Sequence, residues 1–141
     1  MRRLGVIAGV LALALVGLGG WWIYGPHDMV GHAAGQGAAM GQVSVPELSV
    51  GGRAGETLFE ANCSSCHGLD AAGSDQGPPL VHRIYEPSHH GDPAFYRAAL
   101  LGVQAHHWRF GNMPPVEGVS EQDVGMIVRY VRELQRANGI F

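Results

Sequence analysis

The chain has 141 residues, 46% of them hydrophobic and 15% charged, a length that suits one domain with a tail or anchor and is too short for a multidomain enzyme. Its apolar content excludes a disordered chain, while 22 Gly and 8 Pro are more than a helix-dense bundle would use. All nine basic residues are Arg, and against twelve acids they leave a net charge of −3, which gives nucleic-acid binding no electrostatic footing.

Arg2 and Arg3 precede Leu4 to Tyr24, 21 residues without a charge. At ~1.5 Å per residue a helix of this length spans roughly 30 Å, the hydrocarbon thickness of a bilayer. Trp21, Trp22 and Tyr24 stand where an interfacial aromatic belt would, just before Gly25 and Pro26 end the helix. A cleaved signal peptide is the competing reading. Against it, the run exceeds a usual signal h-region, and its small-residue pairs lie inside apolar sequence, where cleavage would leave an apolar mature end. The expectation is therefore an uncleaved anchor over 1–24. Its two arginines keep the N-terminus in the cytoplasm and send the rest into the periplasm of a bacterial cell, a single pass of the inner membrane.

Residues 25–52 are rich in Gly and Ala without apolar periodicity and read as a flexible linker. They carry His27, Met29, His32 and Met40, which could bind copper weakly, although the ligands lack a defined spacing and a solvated spacer explains them as well.

A short helix is expected from Arg53 to Asn62, carrying apolar Ala54, Leu58, Phe59 and Ala61 into Cys63-Ser64-Ser65-Cys66-His67. Two cysteines three apart on a helical turn face the same way, so both sulfurs can meet the two vinyl groups of one porphyrin while the adjacent imidazole reaches its iron. That describes covalent haem c. The same spacing fits a thiol redox pair or half of a zinc site; the first wants a βαβ setting and the second a further pair of ligands, and the chain has no third Cys.

Asp92 is expected to cap a helix whose first position is Pro93, running to a stop at Gly102. Of five Met, Met1 is terminal, Met29 and Met40 lie in the linker, and Met126 falls inside the last helix. Met113, in Gly111-Asn112-Met113-Pro114-Pro115, remains as the candidate sixth iron ligand, presented by a rigid loop. The rivals are His82, His89, His90, His106 and His107, any of which could make a bis-His iron. His89 or His90 could also join His106 or His107 in a second metal site. Ser120 with Asp123 makes a capping-box-like start for a final helix in which Val124, Ile127, Val128, Val131 and Leu134 form one apolar stripe, with Asn138-Gly139 as the stop.

From about Gly51 to Gly139 the chain resembles class I c-type cytochromes, and more closely the small, single-haem, membrane-anchored bacterial type. The resemblance implies an all-α domain over 53–141, of short helices and long loops around one haem. In that family a Gly-Pro-x-Leu segment follows the haem motif, and Gly77-Pro78-Pro79-Leu80 matches it. The Pro78 carbonyl is then expected to accept from His67 Nδ1, which fixes the tautomer of a ligating imidazole. The distal Met of the family precedes a Pro, as Met113 does, and a Gly and two aromatics at the crossing of the first and last helices match Gly55, Phe59 and Tyr130. Arg83, Trp108 and Arg109 are candidates to hold the haem carboxylates.

The function implied is a one-electron carrier with no small-molecule substrate, working between membrane redox complexes such as a quinol-oxidising cytochrome complex and a terminal oxidase. A fixed electron-transfer subunit of an oxidoreductase complex is the alternative, and an enzyme or gas sensor would require an open sixth position. Beyond Arg3 the chain has seven Arg against twelve acids, a formal −5. Docking through a basic face is therefore in doubt, and a tether that confines the domain to the membrane surface offers another solution.

Overall fold

The computed structural model describes residues 41–141. The anchor expected over 1–24 and residues 25–40 of the expected linker lie outside them. Among the described residues no helix is long and apolar enough to cross a membrane.

The longest helix is built as its pattern requires. Helix α4 (Glu121–Ala137) opens on a capping box in which Ser120 Oγ accepts from the Asp123 amide at 3.2 Å while the Ser120 amide donates to Asp123 Oδ2 at 2.9 Å. It closes with Asn138 as its cap and Gly139 at φ 75°, a left-handed stop. All five residues of the apolar stripe are buried.

Helix α1 (Val50–Asn62) starts before the expected Arg53, because Ser49 Oγ caps it by accepting from the Gly52 amide at 3.0 Å. The correction reaches further back. Leu48 is buried, the Ser49 amide and hydroxyl donate to the Glu133 carboxylate at 2.9 and 2.6 Å, and Ser44 exchanges two 2.9 Å hydrogen bonds with the Asn138 side chain. Residues 43–52, expected in the linker, are packed along α4 instead. Composition alone concealed this because the partners lie far along the chain. Burial would raise the Glu133 pKa, but the two Ser49 bonds and the charges of Arg136 and Arg129 together outweigh it and leave the carboxyl below its ordinary value.

The crossing of α1 over α4 forms the core. A Cβ on Gly55 would fall 2.7 Å from the Met126 carbonyl carbon and 2.9 Å from Tyr130 Cβ, so only glycine permits this approach. One turn on, Phe59 and Tyr130 are wholly buried with ring centroids 5.6 Å apart, a tilted aromatic pair. Helix α2 (Ser64–His67) follows α1 after a break at Cys63, and helix α3 (Asp92–Leu101) packs on α4. Two 3₁₀ turns, Leu69–Ala71 and Arg83–Tyr85, punctuate the loops between α2 and α3. Among the described residues there is no strand, only one bridge between Val103 and Met113.

Asp92 does not cap α3. Gly91 holds the cap position, and the Asp92 carboxylate instead accepts from Arg132 Nε of α4 at 2.9 Å. A charged partner outcompetes a backbone amide for the same carboxylate.

Candidate functional site

Cys63 stands at the junction of α1 and α2, half buried; Cys66 is exposed within α2, and His67 ends it at 9% exposure. The loop that follows folds back over this turn. The Gly73 amide donates to His67 O at 2.7 Å, Ser74 Oγ donates to the Cys66 carbonyl, and the Ser74 amide reaches Gly77 O at 2.9 Å. This turn brings the Pro78 carbonyl 2.8 Å from His67 Nδ1. A carbonyl only accepts, so Nδ1 carries the proton and Nε2 is left with its lone pair free. Burial lowers the His67 pKa against the opposing effect of that bond, which keeps the ring neutral, the form that ligates metal. As a free thiol Cys63 is pushed up to about 11, by burial and by Cys66 beside it.

Met113 is fixed by its backbone. It exchanges hydrogen bonds with Val103 at 2.9 and 3.0 Å, and the Val116 amide reaches Ala99 O of α3 at 2.8 Å. Gly102 ends α3 at φ 78°, where a Cβ would meet the Met113 carbonyl at 2.6 Å. The Met113 loop is thus docked on the last turn of α3 with no room for a larger residue at the joint.

Cys63, Cys66, His67, Pro78 and Met113 all line one cavity of about 530 Å³, within the range of cofactor sites. Its remaining wall is largely apolar, with Ala94, Phe95 and Ala98 of α3 and Ile127 of α4. Trp108 Nε1 is buried there without a hydrogen-bond partner. Burial raises the pKa of the Tyr85 hydroxyl, against a smaller lowering by the Trp108 indole. An orphaned buried donor is costly unless a bound group satisfies it, and a haem carboxylate is such a group. Two thiols, a neutral imidazole with one free nitrogen, an apolar slot and an unsatisfied donor together fit covalent haem.

Of the three candidates for the haem carboxylates, only Trp108 lines the cavity. Arg83 and Arg109 are exposed and do not, whereas Arg97 of α3 does. The histidines also separate. His82 packs its ring edge on Trp108, centroids 5.1 Å apart, and accepts from the Ile84 amide through Nδ1 at 3.2 Å. His89, His90, His106 and His107 gather at the cavity, which the last three line, and His107 is held below its ordinary pKa by desolvation and by the charges of the other three.

Sequence reasoning missed Arg132 and Gln135. Arg132 is 6% exposed and donates to Asp92 Oδ1, to the carbonyls of Tyr85 (2.7 Å) and His90 (2.6 Å), and to Gln135 Oε1 (2.6 Å), with its guanidinium 4.8 Å from the Phe95 ring centroid. Gln135 Nε2 donates to the carbonyls of Leu80 (2.8 Å) and Tyr85 (3.1 Å). Together they sew α4 to the loop and helix that wall the cavity. The signal was present: each lies four residues after a member of the apolar stripe, Val128 and Val131, and so on the buried face. We expect Arg132→Met to destabilise the haem-loaded protein by about 2–3 kcal/mol, because the His90 carbonyl loses its donor while Tyr85 O keeps Gln135. Arg132→Lys will restore only part, since one ammonium cannot span the same acceptors. Denaturant titration of the three proteins checks both.

Comparison with known proteins agrees with this geometry. The family model for cytochrome c matches residues 52–135. The chain is 35% identical over 85 residues to the cbb3-type cytochrome c oxidase subunit CcoP of Rubrivivax gelatinosus, a match that takes in 59% of this chain and 26% of that protein. It is 32% identical over 94 residues to cytochrome c-554(547) of Halothiobacillus neapolitanus, covering 58% of this chain and 94% of that one. The chain therefore spans about a quarter of the first relative and nearly all of the second. No solved structure matched it.

Proposed function

The chain belongs to the cytochrome c family, which binds covalent haem c and transfers electrons, and from that premise we propose that it is a His/Met-ligated carrier held at the periplasmic face of a bacterial inner membrane. Haem c, when bound, supplies a one-electron Fe(II)/Fe(III) couple. The residues divide the remaining work. Cys63 and Cys66 anchor the group through thioethers, and His67, its tautomer held by Pro78, offers Nε2 to the metal. Met113 offers a soft thioether from the loop docked on α3, which favours the reduced state and raises the potential. The apolar slot limits water and so the reorganisation that accompanies a change of charge.

The observation that carries this reading is the convergence of His67 and Met113, each fixed by backbone hydrogen bonds, on one cavity with both cysteines. Donor and acceptor are proposed to be membrane complexes, a quinol-oxidising cytochrome complex and a terminal oxidase. With seven Arg against twelve acids beyond Arg3, encounter depends on the anchor over 1–24 and on residues 25–40, which confine the domain near its partners. A redox titration with spectra of salt-washed membranes from cells expressing the full chain tests this. We expect one c-type haem, at a high potential, retained in the membrane pellet. A haem recovered only in the soluble fraction would overturn the tether.

A second reading is favoured by the likeness to a protein named as an oxidase subunit: a fixed electron-entry subunit of such a complex. Co-purification in stoichiometric amount with an oxidase through detergent would select it over the mobile carrier.

A further inference from the structure

Four histidines that electron transfer leaves unused meet at the rim of the cavity. His89 and His90 end a turn in which both amides donate to the Glu86 carbonyl, at 3.0 and 2.8 Å, just before α3. His106 and His107 occupy the loop between Val103 and Met113, whose base is closed by the backbone pair of those two residues and by the Ala105 amide donating to Asn112 Oδ1 at 2.9 Å. The ring centroids of His89 and His90 lie 4.6 Å apart, those of His89 and His107 5.2 Å, and those of His90 and His107 5.1 Å. One ring nitrogen from each of these three falls within 4.8 Å of the other two. The His106 ring packs on His107 at 4.4 Å and stacks on His90 at 5.9 Å.

We propose that His89, His90 and His107 form a second metal site, distinct from the haem iron, for a divalent ion of the zinc and copper class, with His106 or water completing the coordination. Imidazole is a preferred ligand of both ions, and three histidines with one open position make a common tetrahedral set. Metal–nitrogen bonds of ~2.0–2.1 Å in that geometry require nitrogens about 3.3 Å apart. Closing from 4.8 Å takes a small rotation of each ring, which the exposed His89 and His107 are free to make.

His90 is the fixed member. Its Nδ1 donates to the Ile84 carbonyl at 2.6 Å, leaving Nε2 as the ligand atom, and its own carbonyl accepts from the buried Arg132 at 2.6 Å. His106 Nδ1 lies 2.8 Å from the Gln104 carbonyl and likewise leaves Nε2 free. A ligating histidine whose other nitrogen is held by a carbonyl is the ordinary support of a metal site. Histidines scattered on a surface have no need of it. The ion would clip the turn before α3 to the loop that carries Met113.

The test uses the haem-loaded full chain, titrated with Zn(II) by calorimetry and with Cu(II) by electron paramagnetic resonance. One equivalent of either ion should bind saturably, Cu(II) should show nitrogen hyperfine structure, and Zn(II) should raise the thermal midpoint. His89→Gln with His107→Gln should weaken binding at least about 100-fold and abolish the thermal shift, with the haem spectrum unaltered. His27→Gln with His32→Gln should leave binding intact. The proposal is overturned if the wild type shows no saturable binding or if binding survives loss of His89 and His107. It is overturned equally if replacing them changes the haem spectrum, which would put one of these imidazoles on the iron.

Discussion

Replacing Met113 by alanine is expected to lower the midpoint potential by on the order of 0.1 V or more, a fraction of the ~0.8 V that axial ligands span, and to open the haem to external ligands such as imidazole. The expectation rests on how the loop is held. Val103 and Met113 pair through their backbones, and Val116 is tied to Ala99, so the loop keeps its place when the side chain is cut back. Only the thioether leaves. If Met113 is the sixth ligand, as proposed, the oxidised state then gains relative stability and the sixth position becomes available. Spectra of the reduced and oxidised variant, with a redox titration and an imidazole titration, read both effects. An unchanged spectrum and potential would remove Met113 from the iron and turn attention to His90, His106 or His107, which line the same cavity.

The second large effect concerns folding. A chain with Cys63→Ala and Cys66→Ala, expressed without haem, is expected to show no cooperative unfolding transition. The described core consists almost entirely of α1, α4 and the segments that touch them: Leu48, Phe59, Ala71, Ile127, Tyr130, Val131 and Leu134. Helix α3 has no buried residue at all, because Ala94, Phe95 and Ala98 face the cavity. Emptying about 530 Å³ leaves that apolar wall without a packing partner, and an ordinary domain has only ~5–15 kcal/mol of stability to lose. The α1 and α4 pair can retain helix while α3 and the Met113 loop detach. Far-ultraviolet circular dichroism should therefore persist in part, the near-ultraviolet signal vanish and a hydrophobic dye bind. A sharp, reversible thermal transition with native near-ultraviolet signal in the haem-free chain would refute this.

Local grammar carried the sequence a long way. Ser120 with Asp123, the stripe from Val124 to Leu134 and the stops at Gly102 and Gly139 are interactions among residues within a few positions of one another, and each is found where the pattern put it. The Cys63-Ser64-Ser65-Cys66-His67 motif is legible for the same reason, since one turn of helix sets its geometry. Asp92 shows the limit. Its position favoured a cap, but Arg132, forty residues on, offered a charged partner that no local rule contains. The start of the domain failed in the same way: Ser44 and Ser49 look like linker until Asn138 and Glu133 are brought beside them.

The sequence by itself determined the class of cofactor, the helical framework and the residues eligible to hold a metal, because spacing along one turn of backbone fixes those. Tertiary structure alone decided which distant groups converge: the Arg132 and Gln135 network that walls the cavity, Trp108 turned into it with an unsatisfied donor, and four histidines from two loops gathered at its rim. The physical reason is range. Capping, periodicity and thioether spacing act over a few residues, whereas burying a guanidinium, orphaning an indole N–H or crowding imidazoles depends on the path the chain takes between them.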